Sequence, residues 1–171
     1  MSALQLIQHG ALWGVVFGLV FCAATLVLGR INAAMLVNEY PPDERAKFGA
    51  MDARTRRQAN LASLPLLIIL GAVIVFALAA LRSQTGDLSA LDTFLVTVTM
   101  FQVWNLLDLL LLDWFLLLTL RPRFMILPGT EGMAGYRDFG FHFRKFLNGI
   151  VLTFILGGIA TLIALAVEWI V

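Results

Sequence analysis

Residues 95–120 read LVTVTMFQVWNLLDLLLLDWFLLLTL. A membrane-spanning helix needs about 20 predominantly apolar residues, and this stretch supplies them. It nevertheless carries Asn105, Asp108 and Asp113. A carboxylate at membrane depth costs about 2.5–3.5 kcal/mol on insertion scales. Something elsewhere in the chain should offset that cost.

The whole chain points to the same solvent. Its 171 residues are 60% hydrophobic and 13% charged, where soluble domains carry roughly 25% charged residues. With a mean hydropathy of +0.90, a water-soluble globule of this length would have to hide more apolar surface than it can bury. The net charge of +1 provides no basic field, which excludes nucleic acid as a partner. The single cysteine, Cys22, lies in an apolar run and has no second thiol for a disulfide or a metal pair.

Four apolar segments are expected to span: residues 12–36, 61–81, 95–120 and 146–170. The first begins after MSALQLIQHG, which lacks the basic start of a signal peptide, so it reads as a retained span. Gly10, Gly14, Gly18 and Cys22 repeat every four residues along it. Gly149, Thr153, Gly157 and Thr161 do the same in the fourth. Such stripes let another helix approach closely, because no side chain holds the backbones apart. The polar stretch 38–60 contains ERAKFGAMDARTRRQ, which fits a short amphipathic surface helix after Pro41 and Pro42. Pro65 is expected in the first turn of the second span, where a missing N–H costs little.

Orientation follows from lysine and arginine placement. Connections 38–60 and 121–145 each carry five, the turn at 82–92 carries only Arg82, and the two ends carry none. The two basic connections should be cytoplasmic and both termini outside, in a multi-pass protein of the cytoplasmic (inner) membrane. The expected architecture is a single-domain, all-α, four-helix transmembrane bundle.

The third span carries the candidate chemistry. At about 100° per residue, with Asn105 at zero, Asp108 falls near −60°, Thr97 near −80°, Gln102 near +60° and Asp113 near +80°. One side of the helix is therefore polar and should face protein or water. By helical rise Asp113 matches Arg30 in depth, both roughly 10 Å from the bilayer centre. An Arg30–Asp113 pair with Asn32 alongside is expected. Asp108 is placed level with Gly71 and Gly157–Gly158, where no base is available. It should be protonated and bonded to Asn105 or a threonine, or line a wet cavity.

The connection FMILPGTEGMAGYRDFGFHFRK sets aromatic beside basic residues. Tyr136, Arg137, His142 and Arg144 are candidate contacts for an anionic lipid head group. A carboxylate site of Asp113, Glu131, Asp138 and His142 would require this connection to fold back over the bundle. No metal motif is present: His9 and His142 belong to opposite sides, and neither Glu-x-x-His nor paired cysteines occur. Gly-x-Ser-x-Gly is absent, the glycine-rich loop lacks Gly-Lys-Ser/Thr, and no cofactor is identified.

The run NLLDLLLLDW followed by RPRFMILPGTEGMAGYRDFGFHF, within residues 105–148, resembles a pattern of small bacterial four-span integral membrane proteins of unassigned function. The resemblance implies the four-span fold and carries no activity. The functional expectation is a binding, transport or accessory component with its polar site on the third span. The alternative is a membrane-embedded enzyme acting on a lipid or isoprenoid at the cytoplasmic interface. Expected partners are the bilayer, anionic head groups, and a second copy or other membrane subunits.

Overall fold

A computed structural model describes residues 1–170, with only the main chain at Ile170. The described residues are helical with no strand, and four helices are long and apolar enough to cross a membrane. Helix α1 is Ala3–Asn32, continued by a 3-10 segment, Ala33–Glu39; α2 is the short Pro42–Phe48; α3 is Ala53–Thr85. Helix α4 is Ala90–Leu107, prolonged without a break by a π-helical stretch, Asp108–Leu120, and α5 is Phe139–Ile170.

The helices overrun the expected spans. Ser2 caps α1 with a reciprocal capping box to Gln5, and Ser89 caps α4 through the Asp92 amide. The expected amphipathic helix over ERAKFGAMDARTRRQ does not form as one piece. Gly49 at φ +90° ends α2, and Asp52 then caps a new helix through Thr55. That early start places Pro65 inside α3 rather than in its first turn. Likewise FGFHFRKF, expected in the connection, is the first part of α5.

Helix α4 is the central member. Both small-residue stripes pack on it. A Cβ at Gly10 would stand 2.6 Å from the Val96 carbonyl oxygen, and one at Gly14 2.7 Å from that of Met100. On the other flank, a Cβ at Gly157 would stand 2.5 Å from Val98 Cγ2. Helix α3 packs on α1, and Phe17, Leu70, Val73, Ala77, Met100 and Phe101 form the main core cluster. Leucine, isoleucine, valine and phenylalanine side chains on the outer faces are exposed, as a lipid-facing surface requires.

The two ends of the bundle differ. At one end the N-terminal turn of α1, the α3–α4 turn and the last turns of α5 meet. There Glu168 accepts the Leu88 N–H and lies 3.4 Å from Arg82. At the other, a small core of Ala33, Ala34, Val37, Tyr40, Leu127 and Tyr136 joins the two long connections. The chain leaves α4 through Arg121, at φ 45°, followed by Pro122, which cannot continue a helix.

One contact in this loop core is electrostatically unusual. Glu44, on α2, is fully buried, and neither carboxylate oxygen has a hydrogen-bond partner among the described residues. It packs against Gly135, whose N–H donates to Asp43 Oδ2 at 3.1 Å, and a Cβ at Gly135 would collide with both carboxylates. Burial, then the neighbouring Asp43, pushes the Glu44 pKa from 4.5 up to about 7. A carboxyl with a raised folded-state pKa binds its proton more tightly in the folded state. Its contribution is complete below about pH 4.5 and is lost as pH rises through 7. Thermal melts should therefore show wild type losing several degrees between pH 5 and pH 8 while Glu44→Gln stays level. Equal pH dependence in both would refute a buried, protonated Glu44.

Candidate functional site

The π-helical stretch changes which residues share a face. Its hydrogen bonds run from residue i to i+5, so positions five apart stack one turn above the other. The Arg121 N–H donates to the Leu116 carbonyl at 2.8 Å, and Thr119 Oγ1 to that of Trp114 at the same distance. Asp108 and Asp113 are five apart. On an α-helical wheel they fall about 140° apart, but here both line one cavity of about 480 Å³. The uniform α-helical spacing assumed from the sequence fails at Asp108 for this reason.

The cavity lies among α1, α3, α4 and α5 near the loop end. Its apolar wall includes Leu28, Leu66, Leu109, Leu112 and Leu152, and its aromatic wall is Phe21, Tyr40, Trp104 and Phe146. Asn105, Asp108, Asp113, Glu39 and Lys145 bring polar groups to it. Tyr40 and Met125 close the loop side: the Tyr40 hydroxyl donates to the Met125 carbonyl, and the Met125 side chain sits against Gly29. Burial pushes the Tyr40 phenol above its ordinary pKa, so it stays neutral and able to donate.

The polar residues of α4 divide into two groups. Thr97, Gln102 and Asn105 bind α5. Thr97 Oγ1 lies 3.2 Å from the Gly157 carbonyl and 3.3 Å from Thr161 Oγ1. Gln102 Nε2 donates to the Ile150 carbonyl at 3.2 Å, and Asn105 Nδ2 to that of Phe146 at 3.1 Å. The Asn105 amide packs against Gly149, where a Cβ would collide with it. These bonds satisfy polar groups that would otherwise face lipid, and they attach α5 to α4.

The acids behave otherwise. Asp113 is buried and paired, but not with Arg30. His142 Nδ1 lies 2.9 Å from Asp113 Oδ1, and both side chains are almost fully buried. The nitrogen is close but off the axis of a hydrogen bond, so the two groups form a close, buried polar contact. Arg30 is exposed, with its guanidinium 5.6 Å from the centre of the Phe124 ring. Asn32 instead caps the 3-10 segment, accepting the Ala34 N–H at 3.0 Å. The expected Arg30–Asp113–Asn32 group is therefore replaced by Asp113–His142, because α5 starts early enough to carry His142 into the bundle. Asp108 makes no ion pair or side-chain hydrogen bond among the described residues, and it is partly exposed to the cavity. On α5 it is Gly149 that borders the same cavity, whereas Gly157 packs against Val98 two turns further along.

Of the proposed head-group contacts, Arg137 and Arg144 are exposed, the latter 4.0 Å from Asp138. Tyr136 and His142 are buried and cannot meet a head group. The Tyr136 hydroxyl accepts the Leu127 N–H at 2.9 Å and lies 2.8 Å from Thr130 Oγ1. Glu131 is exposed and bonds the Gly129 N–H within its own loop, so the four-residue carboxylate site does not assemble. No group of three or more metal-ligating side chains occurs among the described residues.

Sequence reading missed Glu39, Tyr40 and Lys145. Glu39 and Lys145 form an ion pair at the cavity wall. A signal for Lys145 was present: the stripe Gly149–Thr153–Gly157–Thr161, extended by one step, reaches it. No protein-family model, curated protein sequence or solved structure matches the chain.

Proposed function

We propose that this four-span membrane protein binds a small ligand inside the bundle, in the cavity beside Asp108. The observation that carries the reading is Asp108 itself, a carboxylate without an ion pair or hydrogen bond among the described residues, facing a cavity of about 480 Å³. Ligand sites commonly measure about 300–1,000 Å³, mostly apolar with a few convergent polar groups. Intramembrane acids with no structural partner mark substrate or ion pathways. The glue role falls to Thr97, Gln102 and Asn105, which leaves Asp108 unexplained by packing. With the basic connections inside, the cavity lies toward the cytoplasmic side of an inner membrane. The test is whether a water-borne reagent reaches position 108, reported by an Asp108→Cys substitution.

The Asp113–His142 pair favours one other reading, an enzyme acting on a lipid or isoprenoid at the cytoplasmic interface. Its acid and base stand together and Asp113 borders the cavity. Turnover of a polar lipid extract by wild type but not by His142→Gln would move the assignment there.

A further inference from the structure

The polar side chains around the cavity settle in close pairs, with one left over. Glu39 is held by Lys145, and Asp113 by His142. The carboxylate of Asp108 makes no ion pair or hydrogen bond among the described residues, and Lys145, the only lysine or arginine among those lining the cavity, is engaged by Glu39. A buried carboxylate in a bilayer is stabilised by a cation or must take up a proton. Four aromatic side chains, Phe21, Tyr40, Trp104 and Phe146, line the same space. Aromatic faces attract cations, and more strongly where water is excluded. The remaining wall is mostly leucine, with Thr25, Asn105 and Thr153 as its uncharged polar members, and offers its largest contact area to an apolar body. With Glu39 and Lys145 engaged by each other, an anion would meet the unpaired Asp108 carboxylate, and a neutral ligand would leave it unpaired.

We propose that the ligand is a lipophilic organic cation: a positively charged centre set against Asp108 among the aromatic side chains, with an apolar body along the leucine wall. This rests on the reading of the cavity as a binding site and names the class of molecule that site takes. The lone carboxylate supplies the charge selection, and the apolar wall supplies contact area without it.

The test uses the full chain in lipid nanodiscs, with empty nanodiscs subtracted. The probes are tetraphenylphosphonium, tetraphenylborate and triphenylphosphine oxide, which share phenyl bodies and carry positive, negative and no charge. Tetraphenylphosphonium should bind one site per chain at least tenfold more tightly than either of the others. Asp108→Asn should remove that preference while leaving the oxide within twofold of its wild-type affinity. Equal affinities for all three probes, or preference for the borate, would overturn the cation assignment while the binding site itself stands. Binding by none of them above empty nanodiscs would overturn the binding-site reading as well. The three-probe comparison on wild type decides the class even where Asp108→Asn fails to fold.

Discussion

Replacing Gly14 by alanine should destabilise the protein by about 2–3 kcal/mol, the upper range for overpacking a well-packed contact. The added Cβ would stand 2.7 Å from the Met100 carbonyl oxygen and 2.8 Å from Val103 Cβ. A carbonyl fixed in helix α4 cannot rotate aside as the end of a flexible side chain can. Helix α1 would have to move off α4, disturbing the neighbouring contacts at Gly10 and Gly18. Gly71 is the matched control: it lies in α3, and a Cβ added there would have nothing within 4 Å. At that position alanine should be neutral or stabilise by up to about 1 kcal/mol through helix propensity. Unfolding in a detergent titration should separate the two substitutions in opposite directions. Equal effects would show that the α1–α4 approach is looser than described.

The second large effect concerns the Asp113–His142 contact. His142→Ala leaves Asp113 buried opposite an empty space, and breaking a buried pair on one side typically costs about 3–5 kcal/mol. Asp113→Asn leaves an acceptor in place and should cost less. The double substitution Asp113→Leu with His142→Leu should recover most of the loss, since an apolar pair of similar size carries no desolvation penalty. Arg30→Ala provides the contrast. Its guanidinium is exposed, lies over the Phe124 ring and makes no ion pair or hydrogen bond among the described residues, so removing it should cost about 1 kcal/mol or less. A large loss in Arg30→Ala with little in His142→Ala would reinstate the pairing expected from helix depth and refute the one observed.

Those two pairings show where sequence reading of this chain succeeds and where it stops. Span number follows from hydropathy, because only a bilayer accommodates so much apolar surface. The glycine stripes are equally legible, because a missing Cβ every four residues has a direct steric meaning in any helix. Gly10, Gly14 and Gly157 meet α4 as that reasoning implies. The position of a side chain around a helix is legible only while the hydrogen-bonding pattern holds. After Leu107 it changes, and Asp113 turns onto the face of Asp108. Nothing in LLLLDWFLLLTL distinguishes the two patterns, since leucine suits either.

Depth matching failed for Arg30 because it treats helices as independent rods and their ends as known. His142 precedes the expected start of the fourth span at position 146, yet the helix reaches back to Phe139 and carries it inward. Glu44 was hidden for another reason. A charged residue in a polar connection gives no sign of burial until the second connection folds onto it, and here Gly135 makes the space for that contact. The division of α4 into structural and free polar groups likewise needed partners from α5. Thr97, Gln102, Asn105 and Asp108 look alike in the sequence, and among the described residues only the last lacks a side-chain bond.

The functional reading depends on Asp108 standing in a cavity that solutes enter. Cysteine accessibility measures this, in a Cys22→Ala background that removes the single native thiol. Asp108→Cys in proteoliposomes should react with a charged, membrane-impermeant thiosulfonate, and prior addition of tetraphenylphosphonium should slow the reaction. Leu106→Cys, on the exposed face two residues away, should stay unlabelled because it faces lipid, where a charged reagent does not partition. An Asp108→Cys protein that folds normally yet resists the reagent from both sides of the membrane would contradict the placement of Asp108 in an open cavity.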